Sequence, residues 1–318
     1  MIEVTNLHKK YGEVVALKSI SFQIKKAEIV GFLGPNAAGK TTTLKIITCF
    51  LPPTSGKVTV GNFSIYENTL EVRKQIGYLP ESNALYLEMS VFEYLDFIAK
   101  MRDIPNSIKK KRINDVIEVC GLKEVLGKDI GELSKGYKQR VGLAQAIIHD
   151  PPILLLDEPT SGLDPNQIIE IRNLIKTLGK EKTVVLSTHI LSEVQATCDR
   201  VIIIHRGEIV ADGKKDELQD MVAGKEKIYY KVKASPEKVT PLLEKLDGVE
   251  EIKFKDKEKD LICGYDITVA KGVDIRETLS KLAFENGWPL YELRREVVSL
   301  EEIFRMLTQE SSSQETKQ

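Results

Sequence analysis

The residues best suited by type to do chemistry lie in one run, Gly34-Pro35-Asn36-Ala37-Ala38-Gly39-Lys40-Thr41-Thr42. It fits the pattern GxxxxGK[ST], follows the apolar stretch Glu28 to Leu33, and opens the helically spaced stretch Thr41 to Phe50. In a strand–loop–helix setting, successive backbone N–H groups and the positive end of the helix make a cradle for phosphate. Lys40 is expected to reach the outer phosphates of a nucleotide as a point charge, and the Thr41 hydroxyl to ligate Mg²⁺. Downstream, the apolar run Ile153-Leu154-Leu155-Leu156 ends in two adjacent carboxylates, Asp157 and Glu158. A buried strand carries such a pair at its mouth only if something cationic or chemical occupies it. Asp157 is expected to hold the magnesium through water. Glu158, on the other side of the strand by period-two alternation, is expected to orient and deprotonate an attacking water. Standing alone, the pair has a lesser second reading as two exposed acids of a turn, which the phosphate-binding loop beside it largely removes. A third element, Leu133-Ser134-Lys135-Gly136-Tyr137-Lys138-Gln139-Arg140, opens another helix. Read by itself, its Ser134 is a good helix N-cap.

With these three elements in order, the chain resembles the ABC (ATP-binding cassette) ATPases, whose signature peptide reads LSGGQ. Ser134 and Gly136 match it, while Lys135 and Tyr137 replace Gly and Gln. The resemblance implies that this helix start faces the γ-phosphate of ATP bound by a second, partner subunit. It further implies that Tyr11, in Lys10-Tyr11-Gly12, stacks on adenine, and that Gly34 to Thr42 hold the phosphates. Ser161-Gly162-Leu163-Asp164-Pro165 matches the D-loop, which places Asp164 at the dimer interface, and His189, in Leu186-Ser187-Thr188-His189, matches the switch histidine that contacts the γ-phosphate. Read alone, Tyr11 is a core or strand-edge tyrosine and His189 a locally bonded loop residue. His8, His149 and His205 match nothing and are expected to be hydrogen-bonded locally.

Two departures from the family pattern stand out. Ala37 replaces the usual glycine, which is tolerable where the backbone is helical or extended. Glu81, in Ile76-Gly77-Tyr78-Leu79-Pro80-Glu81, replaces the Gln that ligates Mg²⁺ and reports to the partner. It would supply a harder oxygen ligand and extra negative charge. With the ending Ser299-Leu300-Glu301-Glu302-Ile303-Phe304, this is similar to the exporter-type branch, including gliding-motility and copper-processing ABC exporters.

The elements that must position these residues follow from periodicity. Over the first ~220 residues, short apolar strands alternate with amphipathic helical stretches, the order of an α/β layered domain. Strands are predicted over Ser19 to Ile24, Glu28 to Leu33, Ile153 to Leu156, Thr183 to Ser187 and Arg200 to His205, with a hairpin arm at Glu208 to Ala211 turned by Arg206-Gly207. Helices are predicted over Thr41 to Phe50, Val91 to Arg102, Ile108 to Cys120, Gly136 to His149 and Asn166 to Gly179. The lysine-rich start of the third reads as a solvated face. From about Met221 the pattern resets to βαββαβ, a small ferredoxin-like sandwich closed by a helix from Ser299 to Leu307. The expected class is therefore α/β: a P-loop NTPase ABC cassette over 1–222, with a RecA-like core and antiparallel β and helical subdomains. An α+β ferredoxin-like domain over 223–310 and a disordered tail over 311–318 follow.

Composition bounds the partners. The net charge of −1 argues against a sequence-independent grip on nucleic acid. Cys49, Cys120, Cys198 and Cys263 have no CxxC spacing, and read as reduced, mostly buried small hydrophobes of a cytosolic protein. The start lacks the order of a signal peptide and no apolar run is long enough to span a bilayer, so if the protein works at a membrane, something else is expected to hold it there. The resemblance implies an ATPase with Mg²⁺ as cofactor, working as a likeness-inferred pair of ABC subunits (a homodimer) on the cytoplasmic face of the cell membrane. Its partner would be a polytopic membrane permease. Leu85, Tyr86, Leu87 and Met89, just after Glu81, cannot all face one core and are expected to dock that partner, or else to bury under the helical subdomain. The competing function is a soluble ABC ATPase of translation or DNA repair. A single phosphate-binding loop and the absence of heptads between Lys40 and Asp157 speak against it.

Overall fold

The computed structural model describes residues 1–214, 217–218, 225–257, 261–270, 273–296 and 304–305. The chain forms two compact units, Met1–Lys215 and Asp216–Gln318. The expected tail at 311–318, and all of the expected closing helix except Phe304 and Arg305, lie outside the described residues.

The first unit opens with a long hairpin, β1 (Ile2–Tyr11) and β2 (Val14–Ile24). With β4 (Ser55–Val60) and β5 (Phe63–Ser64) it makes an antiparallel sheet of order β2-β1-β4-β5. Alternating apolar residues, among them Ile2, Val4, Ile20, Phe22, Val58 and Val60, turn one face of it into a core.

A second sheet has the order β10-β9-β3-β8-β7-β6. It comprises β3 (Ile29–Leu33), β6 (Ile76–Leu79), β7 (Ile153–Asp157), β8 (Thr183–Thr188), β9 (Arg200–His205) and β10 (Glu208–Lys214). The first five pair in parallel and β10 returns antiparallel along β9. Every residue of β3, β7 and β8 is buried, which is why they read as continuous apolar runs. The β9–β10 turn places both Arg206 (φ 47°) and Gly207 (φ 79°) in the left-handed region, as a two-residue hairpin turn requires.

Among the described residues of this unit the α-helices are, in chain order, α1 (Lys40–Ile47), α2 (Thr69–Gln75), α3 (Val91–Met101), α4 (Asn106–Cys120), α5 (Lys135–Ile147), α6 (Pro165–Gly179) and α7 (Leu191–Thr197). α3 begins with a capping box: the Ser90 hydroxyl accepts from Glu93 N, and the Glu93 carboxylate accepts from Ser90 N. The Ser90 hydroxyl also donates to the Glu93 carboxylate at 2.8 Å, and this bond, then the one from Ser90 N, holds the Glu93 carboxyl below its ordinary range. The lysine-rich start of α4 is not wholly solvated, since Lys109 Nζ lies 2.8 Å from Asp96, which Lys100 also grips.

The second unit runs β11 (Lys225–Lys233), α8 (Pro236–Leu243), β12 (Val249–Lys257), β13 (Ile262–Ala270), α9 (Arg276–Glu285) and β14 (Leu290–Glu296). The element order is βαββαβ and the antiparallel sheet order is β12-β13-β11-β14. One face packs Tyr230, Val232, Tyr265 and Ile267 against Val239 and Leu243 of α8 and Leu279 of α9. All four cysteines are free thiols, three of them buried. Among the described residues no helix is long and apolar enough to cross a membrane.

Candidate active site

In the parallel sheet the strands β3, β7 and β8 neighbour one another, so the chain segments leaving their carboxyl ends converge on one crevice. Gly34 follows β3, Asp157 ends β7 and His189 follows β8. At Gly34 a Cβ would stand 2.3 Å from the Ile204 carbonyl oxygen, so only glycine lets the loop leave the strand here. Gly39 adopts φ 111°, and α1 starts immediately after it with no side-chain cap and no acid in its first turn. The first N–H groups of the helix are thus left for an anion.

Ala37 sits at φ 63°, neither helical nor extended, so the condition under which its methyl group would be harmless is not met. A left-handed alanine costs about 1 kcal/mol, a strain the glycine of the family pattern would avoid. The loop nonetheless keeps its cradle: Asn36 to Thr42 line a cleft of ≈ 410 Å³ together with Val14, Val15, Ala16, Glu81 and Glu158.

Lys40 is buried, and its ammonium donates to the carbonyl oxygens of Gly34 (2.8 Å) and Pro35 (3.1 Å). It also lies 3.4 Å from Glu158 Oε1. A buried ammonium needs such partners, and the phosphates of a nucleotide would supply better ones.

Asp157 is fully buried. Its Oδ1 accepts a 2.5 Å hydrogen bond from the Ser187 hydroxyl, while Oδ2 has no partner. An orphaned buried carboxylate oxygen beside a phosphate cradle fits a hard cation such as Mg²⁺. The position of Glu158 corrects the alternation argument: β7 ends at Asp157, and Glu158 leaves the strand at φ 48° with its N–H donating to Ser187 O at 3.0 Å. This backward turn, not strand alternation, brings its carboxylate to Lys40 and His189. His189 Nδ1 stands 3.0 and 3.1 Å from the two Glu158 oxygens.

Glu81 is exposed on the cleft wall opposite the loop. Burial, then the charges of Asp157 and Glu81, push the neighbouring Tyr78 hydroxyl far above its ordinary range.

The remaining residues inferred from the motifs lie apart from this cleft. Tyr11, 45% exposed, ends β1 with the Lys9 ammonium 5.0 Å above its ring, and Val14 and Val15 instead line the cleft from the same hairpin. Ser134 caps α5, accepting from Tyr137 N at 3.4 Å, and Asp164 caps α6, accepting from Gln167 N at 2.9 Å. These two starts touch: a Cβ on Gly136 would fall 2.6 Å from the Gln167 side chain, and the Lys135 ammonium lies over Gly162. None of Ser134, Gly136 or Asp164 lines the cleft. The expectation for the unmatched histidines holds only in part. His149 Nε2 meets Ile76 O, and burial pushes the ring down to about 4, whereas both ring nitrogens of His205 are buried without a partner. Motif reading missed Ser187, which holds Asp157; its signal is a hydroxyl next to the end of the strand Thr183–Thr188.

A family model described as ABC transporter matches residues 17–161. The linearmycin resistance ATP-binding protein LnrL of Bacillus subtilis (strain 168) is 34% identical over 309 residues, 97% of this chain and 98% of that protein. The bacitracin transport ATP-binding protein BcrA of Bacillus licheniformis is 34% identical over 307 residues, covering 96% of both. Among solved structures, the dimeric bacterial ABC transporter cassette MJ0796 superposes with a TM-score of 0.62 at 30% identity, over 67% of this chain and 98% of that one. The same cassette in a post-hydrolysis state with ADP and Pi superposes with a TM-score of 0.62 at 29% identity, over 67% and 98%. Both relatives, matched along nearly their whole length, are ATP-binding proteins, one named for linearmycin resistance and one for bacitracin transport. A phosphate cradle closed by a carboxylate at the mouth of a parallel sheet, carried by a chain that aligns end to end with such proteins, makes this protein an ATP-binding and ATP-hydrolysing subunit of the ABC transporter family.

Proposed function

We propose that ATP binds in the cleft of Asn36 to Thr42 and that Glu158 is the general base of its hydrolysis. The observation that carries this reading is the Glu158 carboxylate, buried and held between Lys40 at 3.4 Å and His189 Nδ1 at 3.0 Å. When ATP enters, its outer phosphates take the Lys40 ammonium from the Gly34 and Pro35 carbonyls. Glu158, relieved of that cation, orients a water and accepts its proton as the water oxygen attacks the γ-phosphorus and ADP leaves. His189, beside the same carboxylate, donates to a γ-phosphate oxygen. Thr41, Asp157 and Glu81 would hold Mg²⁺, which when bound neutralises charge on the β- and γ-phosphates. Tyr11 stacks near adenine. Ser134, Gly136 and Asp164 complete the site of a second copy; none of them lines its own cleft, and Ser134 and Asp164 are exposed while Gly136 is buried.

Glu81 gives the metal assignment a direct test. Glu81→Gln is expected to keep turnover within a few-fold, since an amide oxygen still ligates the ion, but to move the half-saturating Mg²⁺ concentration upward by about tenfold. Hydrolysis titrated with Mg²⁺ at fixed ATP reads this out, and superimposable titrations would remove Glu81 from the metal.

The membrane partner is proposed to be a polytopic permease that this subunit drives in export from the cytoplasmic face. The names of LnrL and BcrA, a resistance and a bacitracin transport protein, support export. Support for docking comes from the segment after Glu81. Tyr86 and Leu87 are 56% and 53% exposed, and Phe92 on α3 is 50% exposed. Tyr86 packs edge-on against Phe97 at 5.5 Å and tilted against Tyr94 at 6.1 Å, yet more than half of the residue stays exposed. Leu85 and Met89 are half-buried. Replacing Tyr86 and Leu87 together with Ser is expected to release the protein from native membranes while basal ATPase stays within about twofold. Retention of the folded variant on the membrane would contradict docking here.

A further inference from the structure

Glu193, on α7, is a carboxylate only 1% exposed, and no step described above uses it. Burying a charge costs free energy unless it is paired and hydrogen-bonded. Its partners come from three separate elements. Thr160, two residues after Glu158, donates its hydroxyl to Oε1. Thr188, the residue before His189, donates its hydroxyl to Oε2 at 2.7 Å. The guanidinium of Arg172, on α6, approaches Oε1 at 4.0 Å. Thr160 and Thr188 are themselves buried, and the Thr188 oxygen also accepts the Ile190 N–H at 3.0 Å, so its hydroxyl proton is free to point only at Glu193.

We propose that Glu193 is a positioning residue that ties the turn carrying Glu158 to the strand end carrying His189, through Thr160 and Thr188. Glu158 stands at φ 48°, a strained conformation for a residue with a side chain, which persists only where the surroundings over-determine it. Two backbone bonds hold that turn, Glu158 N to Ser187 O at 3.0 Å and Ser161 N to Glu158 O at 3.1 Å. The Thr160–Glu193 bond is the side-chain tether that fixes its far end. The same carboxylate fixes Thr188 and so the approach of His189 Nδ1, which must meet Glu158 at hydrogen-bond distance. Glu193 touches neither nucleotide nor reacting atoms. It holds two groups in register, and a misplacement of about 1 Å costs on the order of a hundredfold in rate.

This inference rests on the reading of Glu158 as the base. The test compares Thr160→Val, Thr160→Ser, Thr188→Val and Glu193→Gln in the full chain by kcat, ATP dissociation constant and thermal midpoint. Expected are a loss of kcat of about tenfold or more in both valine variants and in Glu193→Gln, with ATP affinity within about twofold, and parent kcat in Thr160→Ser, which keeps the hydroxyl. Thr160→Val combined with Glu193→Gln is expected to lose no more than the worse single variant, because one tether is cut either way. Lowered thermal midpoints with parent kcat, or equal losses in Thr160→Ser and Thr160→Val, would make the cluster a purely structural network and overturn the proposal. Turnover retained in Glu158→Gln would instead overturn the base assignment, so the two failures are distinguishable.

Discussion

Glu158→Gln is expected to bind ATP as the parent does and to lose turnover by a factor of about 10² to 10⁴. The amide keeps the shape of a side chain that is buried against Lys40 and His189, so the cleft should not collapse. What disappears is the one carboxylate in the cleft that is both buried and turned toward the loop. Asp157 cannot replace it, because one of its oxygens is held by Ser187 and the other is the natural ligand of a cation. Phosphate release and equilibrium nucleotide binding, measured on the same preparation, separate the two effects. Hydrolysis near the parent rate would show that Glu158 is not the base.

Lys40→Ala is expected to weaken ATP binding or turnover by about a hundredfold or more, the scale of losing a charge-assisted contact in a preorganised site. Lys40 is buried, and its ammonium is the only side-chain cation lining the described cleft. Without it the Glu158 carboxylate keeps only His189 as a close partner, so the loss includes the stability of the pair as well as the grip on phosphate. Thermal unfolding without nucleotide distinguishes the parts, and normal ATPase activity would remove the loop from the site.

Much of the site was legible in the sequence because its physics is local. A loop of small residues between an apolar strand and a helix needs no distant contact to make a phosphate cradle, and Asp157 and Glu158 adjoin the strand that delivers them. Strands β3, β7, β8 and β9 of the parallel sheet were visible for the same reason, as continuous apolar runs buried within it. The strand β6 (Ile76–Leu79) and the helices α2 and α7 were not, since each is only four to seven residues long and too short to show a period. Tertiary features were invisible too. The left-handed turn at Glu158 depends on Ser187 across the sheet, and the burial of Glu193 depends on threonines from two other segments. Ala37 shows the limit from the other side: its residue type was plain, but the φ of 63° that makes it strained comes only with the folded loop.

Two copies are proposed to close around ATP, each supplying Ser134, Gly136 and Asp164 to the other's cleft. Sedimentation of purified Glu158→Gln, with and without Mg²⁺ and ATP, tests it most directly. A monomer without nucleotide that becomes a dimer holding two ATP per pair is the expected result, with dimer formation lost in Ser134→Arg on the same background. A monomer at saturating ATP, or a dimer indifferent to both ATP and Ser134, would contradict it.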